Sequence, residues 1–126
     1  MINNCTIVGR IANKIELKRT ESNKSYVRIS LAVERNYINK FTNNKDVDFI
    51  SVVVWGQSAD NINKYLTKGS LVGIEGNIQV SKYEKDGNMV YQTDIVASKV
   101  QFMESKEVTD SRRDFETNIN NNELPF

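Results

Sequence analysis

The sequence predicts an all-β fold, a five-stranded barrel with one short helix between its third and fourth strands. Apolar and polar residues alternate with a period of two over five separate segments. The period changes to helical spacing once, between the third and fourth of these segments. Gly9, Gly73 and Gly76 fall inside predicted strands, where a small closed barrel needs sharp bends.

Each predicted strand follows from its own alternating run. In chain order the strands cover residues 5–11, 26–34, 47–55, 71–82 and 89–102. An Asp-Gly step between the last two strands predicts a tight hairpin. The segments before the second strand and after it are polar and rich in Asn, Lys and Thr, so we expect loops over residues 13–24 and 37–46.

The helix is predicted between the third and fourth strands. Ser58 is the expected N-cap, and Gly69 suits the position just past the C-terminal end. Lys64 and Lys68 fall in its expected last turn. One face carries the apolar residues Ala59, Ile62, Tyr65 and Leu66. Three strands, a helix and two strands is the order of an OB barrel, which is therefore the predicted architecture.

Charge and pattern divide the chain into two parts. Residues 1–103 carry 14 Lys and Arg against 10 Asp and Glu, and the remainder carries 3 against 6. Alternation stops at about residue 105, and the polar, acidic stretch that follows predicts disorder. We therefore expect an OB domain over residues 1–104 and a disordered acidic tail over residues 105–126.

Composition excludes several kinds of site. The chain has no histidine, which removes the usual Ser-His and Cys-His nucleophiles and all histidine metal ligands. The acidic pair Asp46 and Asp48 resembles a catalytic pair in spacing only, and Cys5 alternates with core positions. We expect no enzyme, no cofactor and no metal. A single cysteine, with neither a signal peptide nor a membrane-length apolar run, points to a cytoplasmic protein.

Aromatic residues interleaved with cations are the candidate binding groups. Phe49 and Trp55 lie six residues apart on one strand, on the face opposite its aliphatic residues. Such aromatics can instead cover a second small core or an interface. Further candidates lie near them: Tyr37 and Tyr83, each expected to begin a loop, with Arg28, Lys68 and Lys82 as possible charges. Stacked bases and neutralised phosphates are what sequence-tolerant binding of a single strand requires.

The chain resembles the bacterial-type single-stranded DNA-binding proteins, whether cellular, phage or plasmid, over about residues 2–104. The similarity is carried by INNCTIVGRI, ISLAVERNY and DFISVVVWGQSADNINKYLTKGSLVGIEGNIQVSKYEKDGNMVYQTDIVASKVQFME. The terminal NNNELPF resembles the acidic, partner-binding tip of that family. The resemblance implies an OB fold and a homotetramer that binds single-stranded DNA in replication, recombination and repair.

The resemblance also implies roles for particular residues. The stacking aromatics of the family fall on Tyr37, Phe49, Trp55 and Tyr83, and basic positions fall on Lys68 and Lys82. Arg28 is inferred from its strand face alone. The resemblance implies that the tip recruits replication and repair proteins through Glu123, Leu124, Pro125 and Phe126. The chain departs from the family at Ser51, where an arginine can occur, and at residues 120–122, where asparagines replace the usual aspartates.

Two other functions fit the same pattern. An OB protein that binds RNA would need the same aromatics, and only the resemblance favours DNA. A protein–protein adaptor on an OB scaffold would not need its four aromatics along one path.

Overall fold

The computed structural model describes residues 1–104, and these form strands and one helix. In chain order the elements are β1 (Cys5–Ile11), β2 (Lys18–Arg19), β3 (Ser25–Asn39), β4 (Asn44–Trp55), α1 (Gln57–Tyr65), β5 (Leu71–Lys85) and β6 (Asn88–Phe102). The predicted tail and its tip lie outside the described residues. No helix within residues 1–104 is long and apolar enough to span a membrane.

The strands close into a barrel. Their order is β1-β5-β6-β4-β3-β2, and a second pairing of β1, with β3, joins the two sides of the sheet. All neighbours are antiparallel except β4 and β6, which run parallel with Val52 beside Ile95. Five long strands with one helix between the third and fourth confirm the predicted OB-type barrel. The two-residue strand β2 is an addition that pairs with the start of β3.

The core lies inside this barrel and under the helix. Alternate residues of β3 and β4 point inward, as the period of two predicts. Residues from both strands and from α1 are completely buried: Val27, Ile29, Leu31, Val52, Val54, Ala59 and Ile62. The opposite faces of β3 and β4 are therefore free to carry a binding surface.

Close approach of two backbones explains two of the three strand glycines. A β-carbon at Gly9 would lie 2.5 Å from the carbonyl oxygen of Ala32, where β1 crosses β3. At Gly76 it would lie 2.1 Å from the carbonyl oxygen of Val96, next to a register shift between β5 and β6. At Gly73 the nearest atom is 3.6 Å away, which is ordinary contact, so the bend predicted there does not require glycine.

The loops predicted over residues 13–24 and 37–46 are in part strand, and that prediction was wrong. β3 continues to Asn39 and β4 begins at Asn44, so the two strands form a long hairpin with a short turn. β5 likewise runs to Lys85, three residues beyond its predicted end. These strand extensions, which we call arms, project past the core. Neither of their faces is buried in it, so apolar and polar residues do not have to alternate along them. Backbone pairing extends them where the sequence pattern indicates a loop.

The predicted helix ends were also wrong. α1 begins at Gln57, and Gly56 occupies the N-cap position with φ 69° and no side-chain cap. The Gly56 N–H donates to the Ser25 carbonyl at 2.8 Å, so the start of β3 fixes this turn. The helix ends at Tyr65. Lys68 and Gly69 therefore lie in the following turn, where the Gly69 N–H bonds the Ile11 carbonyl at 2.7 Å.

Candidate nucleic-acid interface

The outward face of β3 and β4 carries the two predicted aromatics of the third predicted strand. Phe49 is 67% exposed and Trp55 is 43% exposed, whereas Val52 and Val54 between them are fully buried. The aliphatic side of β4 is therefore the core side, as the alternation predicts. Two large rings face solvent on the other side.

Trp55 has an aromatic neighbour that the sequence analysis did not select. Tyr26 lies directly opposite Trp55 in the β3–β4 register, and their ring centroids are 5.0 Å apart with a 35° angle between the planes. Contacts of this kind hold two rings against each other. Tyr26 stands in the alternating run of the second predicted strand, but only the strand register could have paired it with Trp55. The two rings form one continuous apolar platform.

Tyr83 belongs to the same face, by way of β6. The parallel pairing of Val53 with Val96 carries the outward face of β4 onto β6, and alternation along β6 extends it to Val90. Val90 pairs with Tyr83 of β5. We define the aromatic face as the outward surface of β3, β4, β5 and β6 that carries Tyr26, Phe49, Trp55 and Tyr83.

Tyr37 stands on the β3 arm and is fixed there by an arginine. The Arg35 guanidinium donates two bonds to the Asp48 carboxylate, from Nε at 3.0 Å and Nη2 at 3.1 Å. Its third nitrogen donates to the Tyr37 hydroxyl at 3.2 Å. The bonds to Asp48 raise the pKa of Arg35, and the Arg35 bond lowers the pKa of Asp48. Tyr37 is thereby connected to Asp48, which lies on the opposite face of β4 from Phe49, so Tyr37 stands on the other side of the arm.

Arg28 lies in the middle of the aromatic face and is ion-paired. Its Nη1 donates to the Asp94 carboxylate of β6 at 2.5 Å and to the Ser51 hydroxyl at 3.0 Å. Burial acts to raise the pKa of Asp94, but hydrogen bonds from Ser51, Gln92 and Arg28, together with the Arg28 charge, outweigh it and lower the pKa. A guanidinium from the neighbouring strand thus lies beside Ser51.

The two predicted lysines lie apart from these rings. Lys82 is on the opposite face of β5 from Tyr83, with its ammonium 5.6 Å from the centre of the Tyr91 ring. Lys68 is exposed in the turn after α1, and within residues 1–104 it forms no ion pair with any residue of the aromatic face. The structure places Phe49, Trp55, Tyr83 and Arg28 on the aromatic face, but it places neither Tyr37 nor the two lysines there.

A further exposed ring lies at the tip of the β3–β4 hairpin. Phe41 is fully exposed, and the turn beneath it is held by Asn39, whose side chain accepts from the Phe41 N–H at 2.9 Å. The Asn39 amide donates to Asp46 at 3.2 Å across the hairpin. Sequence reasoning missed Phe41 because it stands in a polar segment. An isolated phenylalanine among asparagines and lysines was the available signal.

Comparisons with known proteins identify the family of the chain. Residues 2–103 match the single-strand binding protein family. The chain is 40% identical over 115 residues to single-stranded DNA-binding protein 1 of Staphylococcus aureus (strain MSSA476), covering 90% of this chain and 73% of that protein. It is 43% identical over 107 residues to single-stranded DNA-binding protein 3 of Streptococcus agalactiae serotype V, covering 84% and 77%. This chain therefore belongs to the single-strand binding protein family.

Proposed function

We propose that this protein binds single-stranded DNA with little sequence preference, along the aromatic face. The observation that carries the proposal is the set of outward rings on one continuous sheet face in a member of this family. Every base has a π-face, so stacking contributes about 1–3 kcal/mol per base whatever its identity. The names of the relatives support DNA as the ligand.

Exposed lysines are the proposed phosphate contacts, some at the hairpin tip and others away from the aromatic face. Lys40 and Lys45 flank the hairpin tip, and neither forms an ion pair within residues 1–104. Lys68 and Lys82 are exposed as well and are retained as proposed contacts. Affinity should therefore decline with salt, with a logarithmic slope of about −0.7 for each phosphate neutralised. Duplex DNA should bind more weakly, because its bases offer no open faces.

Trp55 provides the direct test, because it is the only tryptophan of the chain. Its emission should fall when an oligothymidylate stacks on it. In parallel, the anisotropy of a fluorescein-labelled oligothymidylate measures affinity without using the tryptophan. Trp55→Ala and Phe49→Ala should each weaken binding by about 1–3 kcal/mol, because each removes a stacking surface. Trp55→Phe, which keeps a ring, should restore most of the affinity.

The matched control is an exposed aromatic elsewhere on the molecule. Tyr65 of α1 packs at 6.4 Å from the Phe102 ring, away from the aromatic face. Tyr65→Ala should leave affinity unchanged. If Trp55→Ala and Phe49→Ala bind like the parent protein, the aromatic face is not the DNA path. An RNA of the same sequence, titrated alongside, measures the preference for DNA, and absence of binding to either strand would favour the adaptor function.

We further propose that the protein is a cytoplasmic homotetramer that acts in DNA replication, recombination and repair. The family resemblance supports these roles. The tip of the tail, Glu123, Leu124, Pro125 and Phe126, is proposed to recruit partner proteins. A phenylalanine ring can fill a pocket, and a terminal carboxylate can pair with a basic residue beside it.

Deletion of residues 105–126 tests the role of the tail. The tail is net negative and tethered to a basic body, so it competes with DNA at high effective concentration. The truncated protein should bind DNA as tightly as the parent or slightly more tightly at low salt, and should no longer bind the replication and repair proteins of its host. Pull-down of those proteins on immobilised full-length and truncated chains is the measurement. Loss of DNA binding on truncation would contradict this assignment.

A further inference from the structure

We propose that Arg28 donates hydrogen bonds to the edge of a nucleobase rather than to a phosphate, and that Asp94 is the residue that positions it. The inference rests on the proposed function, since it concerns the same aromatic face. It implies that the aromatic face, which otherwise binds bases by stacking, prefers bases that carry a carbonyl oxygen.

Because Asp94 compensates the charge of Arg28, the ion pair attracts a phosphate only weakly. Asp94 is almost enclosed, with 8% of its side chain exposed, whereas the Arg28 side chain is 52% exposed. The carboxylate also accepts from the Gln92 amide at 3.3 Å, so it is held from two sides. An arginine whose charge is compensated by a buried carboxylate attracts a distant phosphate weakly. Its hydrogen-bond donors, however, remain available at short range.

Only one nitrogen of the guanidinium is used by these contacts. Both the bond to Asp94 and the bond to Ser51 come from Nη1. Within residues 1–104, Nε and Nη2 of Arg28 form no hydrogen bond. A guanidinium has five N–H donors in a fixed fork, so donors stay free on a group that Asp94 holds in place.

A pocket of about 280 Å³ lies beside Arg28 on the same side of the sheet. Its walls come from β2, β3, β4 and the segment between β1 and β2: Asn13, Lys14, Glu16, Lys18, Arg28, Ile29, Ser30 and Ser51. Asn13 fixes the segment, because its side chain accepts from the Ser30 N–H at 2.8 Å and donates to the Arg28 carbonyl at 3.2 Å. The volume is near the lower end for ligand pockets, about 300 Å³, which suits a single base.

The register places this pocket within reach of a stacked base. Arg28 follows Tyr26 by two residues, which is about 7 Å along the strand, and Tyr26 packs against Trp55. A base stacked on this pair of rings therefore has one edge beside the guanidinium. Arginine offers donors and no acceptor, so it favours edges with carbonyl oxygens. Thymine, cytosine and guanine have such edges, whereas adenine has none.

The test compares two strands that stack alike but differ in hydrogen bonding. One is an oligothymidylate of about 12 nucleotides, within the span of a single OB fold. The other carries difluorotoluene, the apolar isostere of thymine, at every position. The measured quantity, called the thymine ratio, is the affinity for the thymine strand divided by the affinity for the difluorotoluene strand. It is measured for the parent and for the double variant Arg28→Met, Asp94→Asn. This variant removes the guanidinium without leaving a buried charge. We expect this ratio to fall by about fivefold to a hundredfold, the range for a bidentate contact with a base.

Salt dependence separates the two roles of Arg28. If it contacts a base, the double variant keeps the parent slope of affinity against salt. If it contacts a phosphate, the slope falls by about 0.7 and the thymine ratio is unchanged, which would overturn the proposal. Asp94→Asn alone should lower the thymine ratio and steepen the slope, because it frees the guanidinium charge. Retention of both parent values would show that Asp94 does not position Arg28.

The Arg35–Asp48 pair provides a matched control. It is also an Arg–Asp pair with its arginine on β3, but its aspartate lies on β4 rather than β6 and neither residue lines the pocket. Arg35→Met with Asp48→Asn should leave the thymine ratio at the parent value, and thermal melting of each variant checks that it is folded. Failure of the parent to bind any single strand would contradict the proposed function itself. Binding with an unchanged ratio in the Arg28 double variant would contradict this inference alone.

Discussion

Gly76 shows how a single residue limits the closure of the barrel. A β-carbon there would lie 2.1 Å from one backbone oxygen of β6, and neither backbone can retreat without breaking the β5–β6 pairing. Gly76→Ala should therefore destabilise the protein by about 1–3 kcal/mol or more, the usual cost of overpacking. Chemical denaturation followed by circular dichroism measures this loss.

Gly73 is the internal control for that prediction. It lies on the same strand, three residues away, and an added β-carbon would meet nothing closer than the Met103 sulphur at 3.6 Å, an ordinary contact. Gly73→Ala should change the free energy of unfolding by less than about 0.5 kcal/mol. Equal losses at both positions would mean that strand flexibility, and not contact with β6, explains the glycines.

For single residues, sequence predicts the face of a strand on which a side chain lies, but not its contacts with strands distant in the chain. Alternation on β4 identified the outward direction of Phe49 and Trp55, since a strand has only two faces. It could not separate Gly76 from Gly73, or pair Tyr26 with Trp55, because both depend on a strand distant in the chain. Arg28 was placed on the correct face, but its pairing with Asp94 joins β3 to β6 across β4 and is invisible in any local pattern.

The β3–β4 hairpin is the element in which sequence and structure differ most. Its stem is polar and was predicted as a loop, yet cross-strand bonds between Asn39 and Asp46 and between Arg35 and Asp48 hold it as a ladder. Polar arms of this kind satisfy their backbone groups by pairing with each other rather than by burial. Strand propensity and periodicity therefore carry no signal for them, although the core strands beneath were predicted correctly.

The hairpin tip should add a stacking contact to the DNA path. Phe41 is fully exposed on a turn fixed by Asn39, with Lys40 beside it, so a base can stack there at little cost in ordering the loop. Phe41→Ala should weaken binding to an oligothymidylate by about 1–3 kcal/mol. Phe41→Leu, which keeps an apolar side chain but lacks a ring, should recover only part of the loss. Anisotropy titration that gives the parent affinity for Phe41→Ala would exclude the tip from the path.

At the scale of the whole molecule, one group of exposed apolar residues is the candidate surface for the proposed tetramer. The face of the β5–β6 arm opposite Tyr83 carries a group of exposed apolar residues, Ile78, Val80, Met89 and Tyr91. The register places all four on one side, continuous with the buried Ile95. Scattered apolar residues are normal on a surface, but a contiguous group marks an interaction site. This group lies on the side of the arm away from the aromatic face, so an interface there leaves the stacking rings open, whereas Lys82, which is beside Tyr91 on the same side, would lie at the interface.

The proposed tetramer should therefore depend on this arm. Light scattering at micromolar concentration should give four times the chain mass of 14.4 kDa. Ile78→Glu with Val80→Glu places charges in the group and should reduce the mass, because burying an unpaired carboxylate is costly. Ile38→Glu is the control: Ile38 is 57% exposed, as Val80 is 56% exposed, but it lies on the β3 arm, and its replacement should leave the mass unchanged. A parent protein that remains a monomer would contradict the tetramer. A tetramer that survives both glutamates would place the interface on another face.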